Sequence, residues 1–332
     1  MSDLRLSLAV NESLHTRDLI DGRVKAEGID LVASRVEIEA AILRFGLNQE
    51  FDVAEVSLAN FCGQIARNPQ ANMIGLPVFT SRAFRQSAIY VSRTSGLRAA
   101  EDLAGCTVGI PQWSQTATVY VRGFLAHLAG VPLSSIRWIQ AGLDQPGRRD
   151  NLALSLPDDI RLEVRPDDTL SDMLTSGRID AIISARPPKA FYPGGGDIRR
   201  LFADPRIEEE KYFRATGVFP IMHLIALRRD VYERNRWIAR NLYDAFERAK
   251  TNALALIMNE HAPYIPAPWA ADGARSGSQM VFGEGGAWPY GLAPNLKSIE
   301  VFLDYAFEQG VTLRRLDCDE LFARETLSVV RV

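Results

Sequence analysis

A chain of 332 residues is about twice the length of one ordinary domain, so two domains are the starting expectation. Its 47% hydrophobic and 24% charged residues make a globular composition with apolar material for two cores, which excludes a disordered or fibrous chain. The formal net charge of −3 argues against a nucleic-acid binder, and no run of about eighteen apolar residues marks a transmembrane helix.

In chain order, residues 4–10 alternate as a strand, 19–25 read as a short helix stopped by Gly28, and 29–34 read as a second strand. Residues 37–45 are an amphipathic helix, with Ile38, Ala41, Ile42 and Phe45 at helical spacing, and 51–57 are a buried strand leading into a helix over 58–66. Two apolar runs of strand length, 73–79 and 87–92, flank a polar loop over 80–86. A new unit opens near Gly96. Its parts are a helix over 97–105, a strand over 106–110, a turn over 111–117 that enters a helix reaching residue 129, and a strand over 136–140. A helix over 170–176 follows, with Gly177 as its C-terminal stop, and then a strand over 179–184. Arg186-Pro187-Pro188 and Pro193-Gly194-Gly195-Gly196 punctuate the chain before a strand over 218–227 and helices over 237–258 and 299–308.

Alternating strands and helices specify α/β architecture with largely parallel sheets. The order of the units places residues 1–95 and 198–332 in one lobe and 96–197 in a second, inserted lobe. A chain that crosses twice between lobes resembles the layout of periplasmic-type binding proteins, which implies a clamp with the ligand in its cleft and lobes that close by hinge motion. The N-terminus begins directly with a strand and carries no secretory signal pattern, so a cytoplasmic location is expected. Cys62, Cys106 and Cys318 are odd in number and widely spaced, which argues against both a disulfide framework and a cysteine zinc site. The sequence permits a homo-oligomer without specifying one.

Two phrases resemble the type II periplasmic-binding-protein superfamily: Leu103-Ala104-Gly105-Cys106-Thr107-Val108-Gly109-Ile110, and the run from Leu170 through Met173, Leu174 and Gly177 to Ile179-Asp180-Ala181. Others are sharper. Ser184-Ala185-Arg186-Pro187-Pro188, Thr216-Gly217-Val218-Phe219-Pro220-Ile221-Met222-His223, Trp288-Pro289-Tyr290-Gly291 and Phe302-Leu303-Asp304-Tyr305-Ala306-Phe307-Glu308-Gln309-Gly310 are similar to the 4,5-dihydroxyphthalate decarboxylase family. So are Arg314-Arg315-Leu316 and Glu320-Leu321-Phe322. The resemblance implies an enzyme that removes carbon dioxide from a hydroxylated aromatic dicarboxylate and gives protocatechuate. The alternative is a non-catalytic binding protein for an aromatic carboxylate, in transport or sensing.

That reaction needs cations for two carboxylates, a base for a phenol proton and an acid aimed at the ring carbon. Guanidinium matches carboxylate geometry, so Arg82 and Arg85, between two strands of the first lobe, and Arg186, directly after a strand of the second, are candidate clamps. Trp113, Ser114, Gln115 and Thr116 lie between a strand and a helix, where N–H groups and hydroxyls bind anions. His15, after the first strand, and His223 are candidate proton carriers, and Glu55 a candidate phenol base. His127 and His261 read as structural or incidental. Trp288 and Tyr290, after the glycine-rich stretch 282–286, would form an aromatic flap stacking on a planar ligand. No HxxxH or HxH spacing, GxGxxG, GxxxxGK[ST] or GxSxG motif is present, so neither a metal nor any other cofactor is expected.

Overall fold

A computed structural model describes residues 3–191, 196–262, 264–284 and 286–327; Pro193, Gly194 and Gly195 of the predicted turn and Gly285 of the glycine-rich stretch lie outside these described residues. The first run of elements is β1 (Leu4–Val10), α1 (Leu14–Ile20), β2 (Ile29–Arg35), α2 (Ile38–Asn48), β3 (Val53–Ser57), α3 (Leu58–Arg67) and β4 (Met73–Arg82). Next come β5 (Ile89–Ser92), β6 (Thr107–Ile110), α4 (Thr116–His127), β7 (Arg137–Gly142), β8 (Leu162–Thr169), α5 (Leu170–Thr175), β9 (Ala181–Ile183) and β10 (Ile198–Arg200). The chain finishes with α6 (Pro205–Thr216), β11 (Ile221–Arg228), α7 (Arg229–Arg234), α8 (Trp237–Ile257), α9 (Ala270–Phe282) and α10 (Leu296–Glu308).

These strands form two mixed sheets. The first has the order β2-β1-β3-β11-β4, with β1 parallel to β2 and β3 and the returning β11 antiparallel to both β3 and β4. The second has the order β10-β5-β9-β6-β7-β8, with parallel pairing from β9 through β8 and antiparallel pairing of β5 with β9 and β10. The crossings between sheets therefore fall within 83–88 and 201–220. Residues 89–92 and 198–200, expected in the first lobe, pair in the second sheet: β5 lies against β9, and β10 caps its edge. Periodicity marks such short apolar runs as strands but carries no information about their partners.

Local chemistry sets several boundaries differently from the sequence expectation. Helix α1 begins at Leu14 because Ser13 and Thr16 cap one another reciprocally, and it stops before Gly22, whose φ of 72° only glycine adopts freely. Strand β4 continues through the polar residues 80–82, expected as loop, because β11 pairs as far as Arg82. Over 97–105 only one turn of 3₁₀ helix forms, at Glu101–Leu103.

Helix α8 packs on the first lobe, against α1 and β4, whereas α10 lies against α4 of the second. That second contact is close: a Cβ on Gly123 would stand 2.2 Å from the buried Tyr305 ring. Gly123→Ala is expected to destabilise the protein by about 1–3 kcal/mol, the usual effect of overpacking a tight core. A urea titration followed by tryptophan fluorescence would measure the shift in midpoint.

Candidate functional site

The two lobes face one another across a cleft. Its inner chamber, about 160 Å³, is walled on one side by α2, the β3–α3 junction and β11, and on the other by Gln112, residues 114–117, Arg148 and Ala185–Arg186. Strand β3 runs straight into α3 at Ser57, so the first turn of α3 opens on this cleft, as does the start of α4. The carboxyl ends of parallel strands are where open α/β sheets receive ligands.

The floor is a histidine held by a carboxylate. In the antiparallel register of β3 and β11, His223 is opposite Ser57 and Ile225 is opposite Glu55, so Glu55 and His223 are diagonal neighbours on one sheet face. Their side chains meet with Nδ1 of His223 2.8 Å from Oε1 of Glu55. An ionised carboxylate only accepts, so Nδ1 carries a proton and Nε2 is the nitrogen left to exchange one. Glu55 is 3% exposed, and its other oxygen accepts from the Asn11 N–H at 3.1 Å. With both oxygens engaged and the residue buried, Glu55 is built to orient His223 and is poorly placed for the phenol-base role expected of it.

Arg85 lies on the first crossing between sheets and lines the cleft. Its Nε donates to the Met222 sulfur at 3.1 Å and its Nη1 to the Ala185 carbonyl at 3.5 Å; it has no ion pair among the described residues. Burial brings its pKa down to about 10, so it remains a cation at neutral pH. A half-buried guanidinium whose hydrogen-bond partners are all neutral, with Glu209 acting on it only through its charge, is a ready site for an anion. Arg186 also lines the cleft, where Nη2 lies 3.4 Å from Glu37 and 3.6 Å from Glu39.

Arg148, absent from the sequence expectation, completes the cation set. It donates to Glu39 and to Oε1 of Gln112, both at 2.8 Å. Burial raises the Glu39 pKa, but the Arg148 hydrogen bond and the charges of Arg148 and Arg186 outweigh it, so the carboxyl is held below its ordinary range. The signal available for Arg148 is its place in the turn after strand β7, since such turns face the cleft in parallel sheets.

The loop before α4 is committed internally. The Ser114 N–H donates to Oδ2 of Asp150 at 3.0 Å and its hydroxyl to Oδ1, so the donors expected to hold a substrate carboxylate already hold a protein one. Thr116 instead joins the lobes, accepting from the Ala59 N–H at 3.1 Å and hydrogen-bonding the Ser57 hydroxyl at 2.9 Å. Gln115 lines the cleft and accepts from the Ala185 N–H at 3.3 Å.

The remaining candidates lie elsewhere. Arg82 is buried, with guanidinium bonds to Asn295 Oδ1 at 2.6 Å and the Phe219 carbonyl at 2.7 Å and its face on the Phe219 ring. Trp113 is fully buried, with its indole N–H on the Gln309 carbonyl and the Arg122 guanidinium stacked on its ring. His15 bonds the Thr80 carbonyl through Nε2 at 2.8 Å and packs against Trp288; burial lowers its pKa, which keeps the imidazole neutral. Trp288 donates its indole N–H to the Phe79 carbonyl, and Tyr290 is buried beneath Lys250. The expected aromatic flap is thus packed into the first lobe, because the Trp288 indole N–H and both rings find partners there.

No group of three His, Cys, Asp or Glu among the described residues is placed to hold a metal ion, and none of the described helices is long and apolar enough to cross a membrane.

Two mixed α/β sheets, crossed twice by the chain and enclosing a polar cleft, define a periplasmic-binding-protein fold. The periplasmic aliphatic sulphonate binding protein of Escherichia coli superposes on it with a TM-score of 0.54 at 13% identity, covering 98% of this chain and 99% of that one. A Candida albicans protein described as having the generic periplasmic binding protein fold gives 0.51 at 15% identity, with 98% of both chains covered. No family model matches the sequence. Among characterised proteins, it is 33% identical to the 4,5-dihydroxyphthalate decarboxylase of Comamonas testosteroni over the full length of both chains. It is 35% identical to that of Pseudomonas putida over 65% of this chain and 83% of the other. The chain belongs to the 4,5-dihydroxyphthalate decarboxylase family.

Proposed function

We propose that this protein is a carboxy-lyase that converts 4,5-dihydroxyphthalate to protocatechuate and carbon dioxide. The observation that carries this reading is the full-length kinship with a protein of that name. The cleft supplies chemistry that fits it. Arg85, Arg148 and Arg186 offer three cations to two carboxylates, and the Glu55-oriented His223 offers a proton.

An aryl carbanion is too high in energy to be the leaving species, so the ring must first be protonated. Electron push from the phenol para to one carboxylate makes the carbon bearing that carboxylate basic. Nε2–H of His223 delivers its proton there, forming a C–H bond and interrupting the aromatic ring. The C–CO₂ bond then breaks, its electron pair restores the aromatic sextet and the phenol, which keeps its own proton throughout, and Nε2 of His223 regains a proton from solvent. The guanidiniums hold the carboxylates in line with the histidine, a positioning effect that adds to the acid catalysis.

The test is incubation of purified protein with 4,5-dihydroxyphthalate, with and without a chelator, following substrate loss and carbon dioxide by mass spectrometry. The expected result is turnover that survives chelation. Saturable binding without turnover would move the chain to the second reading that its fold favours, a binding protein for an aromatic carboxylate.

A further inference from the structure

The three cleft arginines are not equivalent. Arg85 has no carboxylate within ion-pair distance among the described residues, whereas Arg148 and Arg186 share Glu39, and Arg186 also lies 3.4 Å from the exposed Glu37. Glu39 of α2, in the first lobe, places Oε2 2.8 Å from Arg148 and Oε1 3.6 Å from Arg186, both of the second lobe. It therefore spans the cleft with one oxygen toward each guanidinium, the posture a ligand carboxylate would take. A second chamber of about 440 Å³ lies beyond, and Glu39, Gln115, Arg148 and Arg186 belong to the walls of both. The inner chamber alone is smaller than the ~300–1,000 Å³ usual for small-molecule sites, and joining the two would bring it into that range.

We infer that Glu39 is a specificity-determining residue that stands in for a substrate carboxylate: it occupies Arg148 and Arg186 until a ligand with a second carboxylate displaces it and joins the two chambers. The inference rests on the proposed decarboxylase reading and deepens it. A monocarboxylate takes Arg85 and leaves Glu39 in place. A dicarboxylate takes Arg85 and also replaces Glu39. Loss of carbon dioxide removes one of the two charges, so Glu39 regains its arginines as the product forms.

Phthalate and benzoate, which lack the phenols that drive the chemistry, separate these states by isothermal titration against wild type and Glu39→Gln. The variant keeps shape and hydrogen-bonding capacity but loses the competing charge, and Glu39 is half-exposed, so the fold is not at stake. Removing the competitor should tighten phthalate about fivefold, the scale of a partly exposed ion pair, and leave benzoate within about twofold. Unchanged or weakened phthalate binding, in a protein whose wild type turns over 4,5-dihydroxyphthalate, overturns the role of Glu39 and leaves the decarboxylase reading standing. Equal tightening of both ligands also overturns it, reducing Glu39 to a general repulsive charge. A wild type that binds neither ligand and turns over nothing overturns both.

Discussion

Replacing His223 with alanine is expected to lower kcat for 4,5-dihydroxyphthalate by about 10²–10⁴-fold, the range for loss of a positioned general acid. The Michaelis constant should move far less, because the carboxylates are held by arginines from other elements. The result follows from the ring's geometry: Nδ1 is fixed on Glu55 at 2.8 Å, so Nε2 is the atom that can carry a proton to the ligand. Glu55 touches the histidine and does not line the chamber, so Glu55→Gln should lower kcat less, by roughly 10–100-fold, by loosening the ring and weakening its hold on the Nδ1 proton. Steady-state rates for both variants, with phthalate affinity measured beside them, separate a lost proton donor from a damaged pocket. A His223→Ala protein with unchanged kcat would remove the histidine from the chemistry.

Much of this arrangement was legible before any coordinates. The β–α alternation, the double crossing and the choice of Arg85, Arg186 and His223, which line the cleft, all rest on local pattern and on short phrases. What was not legible is long-range pairing. Glu55 and His223 lie 168 positions apart and become partners only through the register of β3 against β11. Ser114 resembles an anion site until Asp150 is found on it, and Trp288 resembles a flap until the Phe79 carbonyl is found on its indole. In each case the residue type was informative and its partner was set by a distant part of the chain. Strand β8 escaped notice for another reason. It is an edge strand whose run Leu-Glu-Val-Arg-Pro-Asp-Asp-Thr has no buried residue and is exposed at its centre, so it lacks the apolar alternation by which strands are read. Helix α6, absent from the sequence expectation, has Asp204 as N-cap and Pro205 in its first turn, but its low hydrophobicity leaves no apolar stripe by which to read it.

Arg85 and Arg82 make the sharpest comparison, because two arginines three positions apart differ in every respect that matters for binding. Arg82 has its guanidinium bonded to Asn295 and to the Phe219 carbonyl and stacked on aromatic rings. Arg85 has a sulfur and one distant carbonyl, and the cleft. Arg85→Ala is therefore expected to reduce kcat/KM for 4,5-dihydroxyphthalate by about 10²–10³-fold, the effect of truncating one partner of a desolvated charge pair. Most of the loss should appear in KM, with the thermal midpoint nearly unchanged. Arg85→Lys should recover little, because an ammonium keeps the charge but loses the planar fork that grips a carboxylate through two parallel bonds. Arg82→Ala should do the reverse, lowering the thermal midpoint by leaving Asn295 and the Phe219 carbonyl without their buried donor, while the folded fraction keeps its KM. Kinetics and melting curves for the three variants decide the matter. An Arg85→Ala protein that binds substrate like the wild type, or an Arg82→Ala protein that melts normally but has lost binding, would exchange the roles assigned to the two residues.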